Sequence, residues 1–200
     1  MFVCWIPNVF IILNCRKILW HNRFRQDTYQ RCLVTIDGID CQIEEPIPFS
    51  RKWYSHKFSG PGVRYELGVS IHTGDIVSLH GPFPCGSYPD ITVFRLGLKR
   101  MLGPGEKVVA DHGYRGDTKT CTPLNATNQE HLVAMGRARA RHETINRRLK
   151  KWNCLKNVYR HHLDKHYLVF TSVAVIEQIS ISNGRAPFQI TSYVDPAQIA

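Results

Sequence analysis

The stretch CLVTIDGIDCQI, residues 32–43, is where this 200-residue chain first shows a clear structural pattern. It is rich in β-branched and apolar residues, and it contains an acid, Asp37, that Gly38 follows directly. This pattern predicts a strand that ends in a tight turn, with Asp37 at its carboxyl end. Asp40, three residues further on, is interpreted as a turn residue, with a role as an additional ligand as the alternative.

Two further strands are predicted after this one. Residues 63–72 alternate apolar and polar side chains, and residues 74–81 begin at a Thr73–Gly74 turn. The two segments are therefore expected to pair as a hairpin. Together with residues 32–43 they predict a three-stranded meander.

The second half of the chain predicts helices around one more strand. Its order after the meander is α-β-α-α, which indicates an α/β fold without internal repeats. The expected elements are a helix that begins near Asp90, a short strand at residues 107–110 that leads into Asp111, and helices at about residues 131–152 and 167–182.

The composition indicates a basic protein of a reducing compartment. The chain has 26 Lys and Arg against 16 Asp and Glu, a net charge of +10, which favours binding to polyanions such as nucleic acid or an acidic membrane. Seven scattered cysteines without a CxxC pair indicate neither a zinc ribbon nor a disulfide framework. The apolar opening is broken by Pro7, Asn8 and Asn14, so we expect no membrane span there.

Three acids are candidates for a metal site. Asp37 and Asp111 would meet at one sheet edge if their strands are neighbours, and Glu143 could reach them from the long helix. Magnesium prefers such hard oxygen ligands.

Glu143 also has a simpler explanation. It is the one acid in RARARHETINRRLKKW, residues 137–152, among seven basic residues. On a helix it would lie beside Arg139 and Arg147, and i,i+4 ion pairs with them would contribute about 0.2–0.5 kcal/mol each. The apolar stripe of this helix is expected to consist of Ala138, His142, Ile145, Leu149 and Trp152.

Five motifs, taken together, resemble a known family. They are TIDGIDCQIEEP, FSRKWYSHKFSGPGVRYELGVSI, GPFPCGSYPDITVFR, LGPGEKVVADHGYRGD and ARARHETINRRLKKW. Within residues 20–184 the chain is similar to the DDE superfamily endonuclease domain of Harbinger-type (PIF/Harbinger) transposases. The resemblance implies an RNase H-like fold in which a mixed sheet carries two acids and a following helix carries the third.

The resemblance also implies an activity. Asp37, Asp111 and Glu143 correspond to the catalytic, metal-binding acids of a DNA endonuclease that uses divalent ions, Mg²⁺ or Mn²⁺ and two in number, to cleave and join DNA. Asp90 also stands at a family motif position, although capping the helix that it begins is the preferred interpretation. The alternative function is a catalytically inactive, transposon-derived DNA-binding or scaffold protein.

DNA is the expected partner. The resemblance implies a Myb-like DNA-binding protein as a second partner. It also implies a nuclear or cytoplasmic location, and a homo-oligomer is compatible with the family. The expected DNA contacts are Arg51, Lys52, Trp53, Lys57, Arg139, Arg141, Arg147 and Arg148. These residues also have an interpretation without DNA. The arginines of the long helix could form a solvated face, and the aromatic side chain of the loop could pack beneath that loop.

The expected organisation is one nuclease domain with short flanks. Residues 1–19 are interpreted as an atypical, truncated leader, residues 20–184 as the endonuclease domain and residues 185–200 as a tail.

Overall fold

The fold is a mixed sheet with helices on both faces, seen in a computed structural model that describes residues 17–24 and 32–190. Most of the predicted leader, up to residue 16, and the tail from residue 191 lie outside the described residues. The strands are β1 (Cys32–Gln42), β2 (Tyr54–Ser55), β3 (Gly60–Ser70), β4 (Ile76–Pro84), β5 (Lys107–Val109) and β6 (Thr120–Cys121).

The three predicted helices are present with ends that differ by a few residues, and a short helix at Asn153–Lys156 was not predicted. The α-helices are α1 (Asp90–Leu96), α2 (Gln129–Leu149), α3 (Asn153–Lys156) and α4 (His166–Ser180). Short 3-10 helices occupy Trp20–Arg23, Arg51–Trp53, Leu98–Met101, His112–Tyr114, Pro123–Asn125 and Leu163–Lys165, and a π-helical turn follows at Ile181–Arg185. Among the described residues, no helix has the length and hydrophobicity that a bilayer span requires.

The sheet confirms the predicted α/β class and its RNase H-like arrangement. β1, β3 and β4 form the predicted antiparallel meander, and β5 and then β6 add to the other edge of β1 in parallel. β2 adds beside the first residues of β3. The prediction of a single further strand was incomplete, because β2 and β6 contain two residues each and are too short to show an alternating pattern.

β1 does not end at Gly38, so this part of the prediction was wrong. Its pairing with β3 continues without interruption from Asp37 opposite Leu67 to Gln42 opposite Gly62. Asp40 therefore lies in the strand, where it is 4% exposed, and not in a turn. β3 supplies hydrogen-bond partners past Gly38, and the chain has no reason to turn there.

Helices cover the sheet on each side because successive side chains of β1 point to opposite faces. On one face Ile39 and Cys41 pack in a core with Ile145 of α2 and Phe170 of α4. On the other face Val34, Ile36 and Val108 pack against Phe94 of α1 and Leu98. Each fully buried side chain of this size contributes about 1.5–3 kcal/mol, so both layers are needed to hold the sheet.

A buried acid lies in the layer beneath α1. Glu66 of β3 is 1% exposed, and its carboxyl group has no hydrogen-bond partner except the backbone N–H of Leu98, which favours the charged form only to a small extent. Burial, and to a lesser extent the negative charge of Asp90, raises the pKa of Glu66 to about 8. The side chain is thus protonated in the folded protein at neutral pH.

Protonation of Glu66 predicts stability that falls as the pH rises. An unfolded Glu ionises near pH 4.5, whereas Glu66 in the folded protein keeps its proton up to about pH 8. The free energy of unfolding should therefore decrease between these two values, by on the order of a few kcal/mol from this group. Urea unfolding of Glu66→Gln at several pH values should lack this decrease, whereas Glu45→Gln, at an exposed position, should retain it. Equal slopes for Glu66→Gln and the wild type would contradict the prediction.

Candidate active site

One cavity of about 260 Å³ contains all three predicted acids. It opens at the edge of the sheet where β5 ends, and α2 forms its other wall. Its lining residues are Thr35, Ile36, Asp37, Lys57, Asp111, Arg139, His142 and Glu143.

The pairing of β1 with β5 brings the two aspartates together. Thr35 lies opposite Val109 in this parallel pair, so Asp37 and Asp111, each two residues further, stand level with one another. β5 ends at Val109, and Asp111 begins the 3-10 turn His112–Tyr114 with its Oδ1 accepting a hydrogen bond from the Gly113 amide at 2.8 Å. The predicted position of Asp111 just past its strand is confirmed.

Asp37 is held on both of its carboxyl oxygens. The backbone N–H of Gly38 donates to Oδ1 at 2.8 Å, and Asn146 Nδ2 of α2 donates to Oδ2 at 2.7 Å. Sequence reasoning did not identify Asn146. The signal was present, however, because residues 139, 142, 143 and 146 follow the i, i+3, i+4, i+7 spacing of one helix face, and this face meets the cavity.

Glu143 points toward the aspartates. Burial raises its pKa, the adjacent charge of Asp37 and a side-chain hydrogen bond with Asp37 raise it further, and the positive charges of Lys57 and Arg139 partly offset this. The ion pairs of the described residues include none between Glu143 and Arg139 or Arg147. The ion-pair explanation is therefore not what the structure shows.

His142 attaches α2 to β1 beside the acids. The Thr35 hydroxyl lies 3.2 Å from the Val69 carbonyl, to which it donates, and 2.8 Å from His142 Nδ1. Because its one proton is used on Val69, the hydroxyl accepts from His142, which places the ring proton on Nδ1. Burial lowers the pKa of His142, so the ring is neutral. Its predicted place in the buried stripe of α2 is confirmed, with Ala138, Ile145 and Leu149, but Trp152 is 38% exposed.

Asp90 lies behind the cavity on the opposite face of β1. Pro89, and not Asp90, precedes the first turn of α1, and no side chain caps it, so the predicted capping role was wrong. Asp90 Oδ1 instead lies 3.2 Å from Arg64 Nη1. Burial raises the pKa of Asp90, and the charge of Arg64 partly offsets this rise.

The carboxylate of Asp90 fills the space left by two glycines. A Cβ atom at Gly38 would stand 2.3 Å from Asp90 Oδ1, and one at Gly113 would stand 3.1 Å from both Asp90 Oδ2 and Asp111 Oδ1. Gly38 directly follows Asp37, and Gly113 lies two residues after Asp111. Asp90 thus buttresses both backbone segments that carry the aspartates, although it does not line the cavity.

Asp40 belongs to the same buried layer. Arg64 donates to both of its oxygens, at 2.7 and 2.9 Å, and the Ser55 hydroxyl donates to Oδ2 at 2.5 Å. Burial raises the pKa of Asp40, but these hydrogen bonds and the charge of Lys57 outweigh it and lower the pKa overall. Asp40 is buried, it is ion-paired with Arg64, and it does not line the cavity, so it is part of a structural ion pair and not an alternative ligand.

The predicted DNA contacts occupy different environments. Lys57 and Arg139 line the cavity, and Lys57 Nζ donates to the Gly38 carbonyl at 2.7 Å. Arg141 is 0% exposed and donates to the Ile71 carbonyl, so its burial is inconsistent with a phosphate contact. Trp53 is half-buried against the core, with Lys52 Nζ 5.3 Å from its ring centroid. The others lie at the surface: Arg51, Lys52 and Arg147 are exposed and Arg148 is half-exposed.

Comparisons with known proteins place this site in a family context. Residues 36–178 match the family model described as DDE superfamily endonuclease, a span that contains all three acids. The chain is 32% identical over 147 residues to the probable transposase for insertion sequence element IS702 of Microchaete diplosiphon, an alignment of 66% of this chain and 51% of that protein. The chain thus spans about half the length of this curated relative. No solved structure matches the chain.

The packing around Asp90 predicts that Gly38 tolerates no side chain. Gly38→Ala should lower the free energy of unfolding by about 1–3 kcal/mol, because the new methyl group must displace the Asp90 carboxylate. Gly136→Ala is the matched control: apart from its chain neighbours and the adjacent backbone of its own helix, no atom lies within 4 Å of the added Cβ, and alanine favours the helix by about 1 kcal/mol. Urea unfolding measures both effects. A Gly38→Ala protein as stable as the wild type would show that Asp90 does not occupy this space.

Proposed function

Because this chain belongs to the DDE superfamily endonuclease family, we propose that it is a transposase-type, metal-dependent DNA endonuclease whose catalytic residues are Asp37, Asp111 and Glu143. The observation that carries the proposal is the convergence of these three acids, from β1, the end of β5 and α2, on one cavity. Residues so far apart in the chain share a site only because of the sheet register and the helix above it.

The acids fit a divalent ion by their chemistry. Asp37 is close enough to Glu143 for its charge to raise the pKa of Glu143, and a cation would relieve this repulsion. All three groups are hard oxygen donors, which Mg²⁺ and Mn²⁺ prefer. Among residues 17–24 and 32–190 no three acids, histidines or cysteines are close enough to hold an ion by themselves. Magnesium needs only one or two carboxylates, however, with water and substrate phosphates as its other ligands.

The reaction that suits this site is in-line displacement at a DNA phosphorus. Two bound divalent ions would supply activation of the attacking oxygen and stabilisation of the leaving one. Three acids would supply the negative charge to hold such ions: Asp37, fixed by Gly38 and Asn146, Asp111, fixed by the Gly113 amide, and Glu143. Attack by water would form a new P–O bond and displace the 3′-oxygen, which leaves a 3′-hydroxyl and a 5′-phosphate. Attack by that 3′-hydroxyl on a phosphodiester of a second DNA would join the two strands and displace the 3′-oxygen of the target strand.

Basic residues at the cavity would hold the DNA backbone. Lys57 and Arg139 stand beside the three acids, so a phosphate that enters the cavity meets positive charge as well as metal. We also assign Arg51, Lys52, Arg147, Arg148 and the half-buried Trp53 to the proposed contact surface. Arg141 is left out of this set because it is buried.

The finer assignments rest on the motif resemblance. We propose a Harbinger-type transposase, with residues 20–184 as its nuclease domain, a nuclear (or cytoplasmic) location and a Myb-like partner for sequence-specific DNA recognition. Two copies of such a chain would be needed to act on two DNA ends together. A catalytically inactive scaffold would instead bind DNA through the same basic surface without cleaving it.

The three acids should be essential for cleavage. Asp111→Asn and Glu143→Gln should each reduce nicking of supercoiled plasmid in Mg²⁺ or Mn²⁺ by at least about 100-fold, because each loses a negative charge at the metal site. Asp164→Asn, at an exposed carboxylate away from the cavity, should nick as the wild type does. Thermal unfolding checks that the variants are folded. Full activity of Asp111→Asn would refute the assignment, and a wild type that binds DNA without nicking it would favour the scaffold.

Lys57 should contribute to DNA affinity through charge. Lys57→Ala should weaken binding to DNA of any sequence and reduce the slope of log K against log salt by about 1, as expected for one lost phosphate contact. Fluorescence anisotropy with a short duplex at several salt concentrations measures this slope. Lys156→Ala, on α3 and outside the cavity lining, is the matched control. An unchanged slope for Lys57→Ala would mean that Lys57 touches no phosphate.

A further inference from the structure

We propose that Asn146 is a positioning residue that orients the Asp37 carboxylate for metal binding, an inference that rests on the proposed function. Asn146 Nδ2 lies 2.7 Å from Asp37 Oδ2. A carboxylate accepts hydrogen bonds and does not donate them, so the amide must present its N–H to Asp37. The contact joins residues that are 109 positions apart in the chain and connects α2 to β1.

The amide is unfavourable for packing at this position. Asn146 is 9% exposed, it lies among the buried residues Ile145 and Leu149, and its Oδ1 has no hydrogen-bond partner. Asparagine also has a low propensity for helix interiors. A position chosen only for packing would carry leucine, and a residue that violates the rules for a buried helix face is expected at functional sites.

The bond to Asp37 gives this amide a use. Gly38 N–H holds Asp37 Oδ1 and Asn146 holds Oδ2, so the plane of the carboxylate is fixed from both sides. Each oxygen keeps a lone pair for a cation. Asn146 follows Glu143 by three residues on α2, so the same bond also fixes the position of Asp37 relative to Glu143.

Asn146→Leu separates this role from a structural one. In the full chain, calorimetric titration with Mn²⁺ should show a dissociation constant raised about 10- to 100-fold, the usual effect of removing a group that orients a metal ligand. The thermal midpoint should stay equal or rise, because the unpartnered buried oxygen is removed. Thr144→Ala is the matched control on the same helix: its hydroxyl bonds to the Ala140 carbonyl of α2 itself, and Mn²⁺ affinity should not change.

Each outcome decides the question. Equal Mn²⁺ affinity of Asn146→Leu and the wild type, in a wild type that binds Mn²⁺ and nicks DNA, overturns the positioning role and leaves the proposed function intact. If leucine prevents folding, Asn146→Ala replaces it in the same titration and is judged by the same criterion. A wild type that neither binds Mn²⁺ nor nicks DNA rejects the proposed function, and the role of Asn146 with it.

Discussion

The parallel pairing of β1 with β5 is the constraint on which the site depends. Thr35 opposite Val109 sets Asp37 level with Asp111, and a shift of one residue would turn one of the two side chains to the other face of the sheet. β5 ends at this level, whereas β1 continues for five residues beyond Asp37 along β3. The end of one strand beside the middle of another produces an open edge with an acid on each side.

Secondary structure was largely predictable because it depends on local patterns. The meander, the hairpin at Gly74 and the long helices follow from alternation and helical periodicity, and the structure confirms them. The predicted end of β1 was wrong because contacts with residues far away in the chain, and not the local pattern, determine where the strand ends. Gly38 is small to make room for Asp90, 52 residues later, and Asp40 is buried because Arg64 of β3 reaches it. Neither partner can be identified from the stretch CLVTIDGIDCQI itself.

The helix α2 shows how far charge patterns can mislead. Arg141 looked like one more base on a DNA-facing surface, yet it is fully buried. Its position fits the series 138, 141, 142, 145, which describes the face of the helix that meets the sheet. For Glu143 the charge pattern indicated an ion pair with neighbouring arginines, but the residue faces Asp37 instead. Helical position decided both cases, and charge decided neither.

The carboxylate of Asp90 acts as a shared wedge between Gly38 and Gly113. Three positions that no side-chain bond connects are therefore linked by volume alone. During evolution, a larger residue at position 38 would require a smaller one at position 90, whereas a larger residue at position 113 would also have to displace Asp111 Oδ1. The loss of Asp90 would leave Arg64 with one anionic partner fewer. Substitutions at these positions should therefore occur together. Relatives that lack an acid at the position of Asp90 should also pack the two aspartate-bearing segments differently.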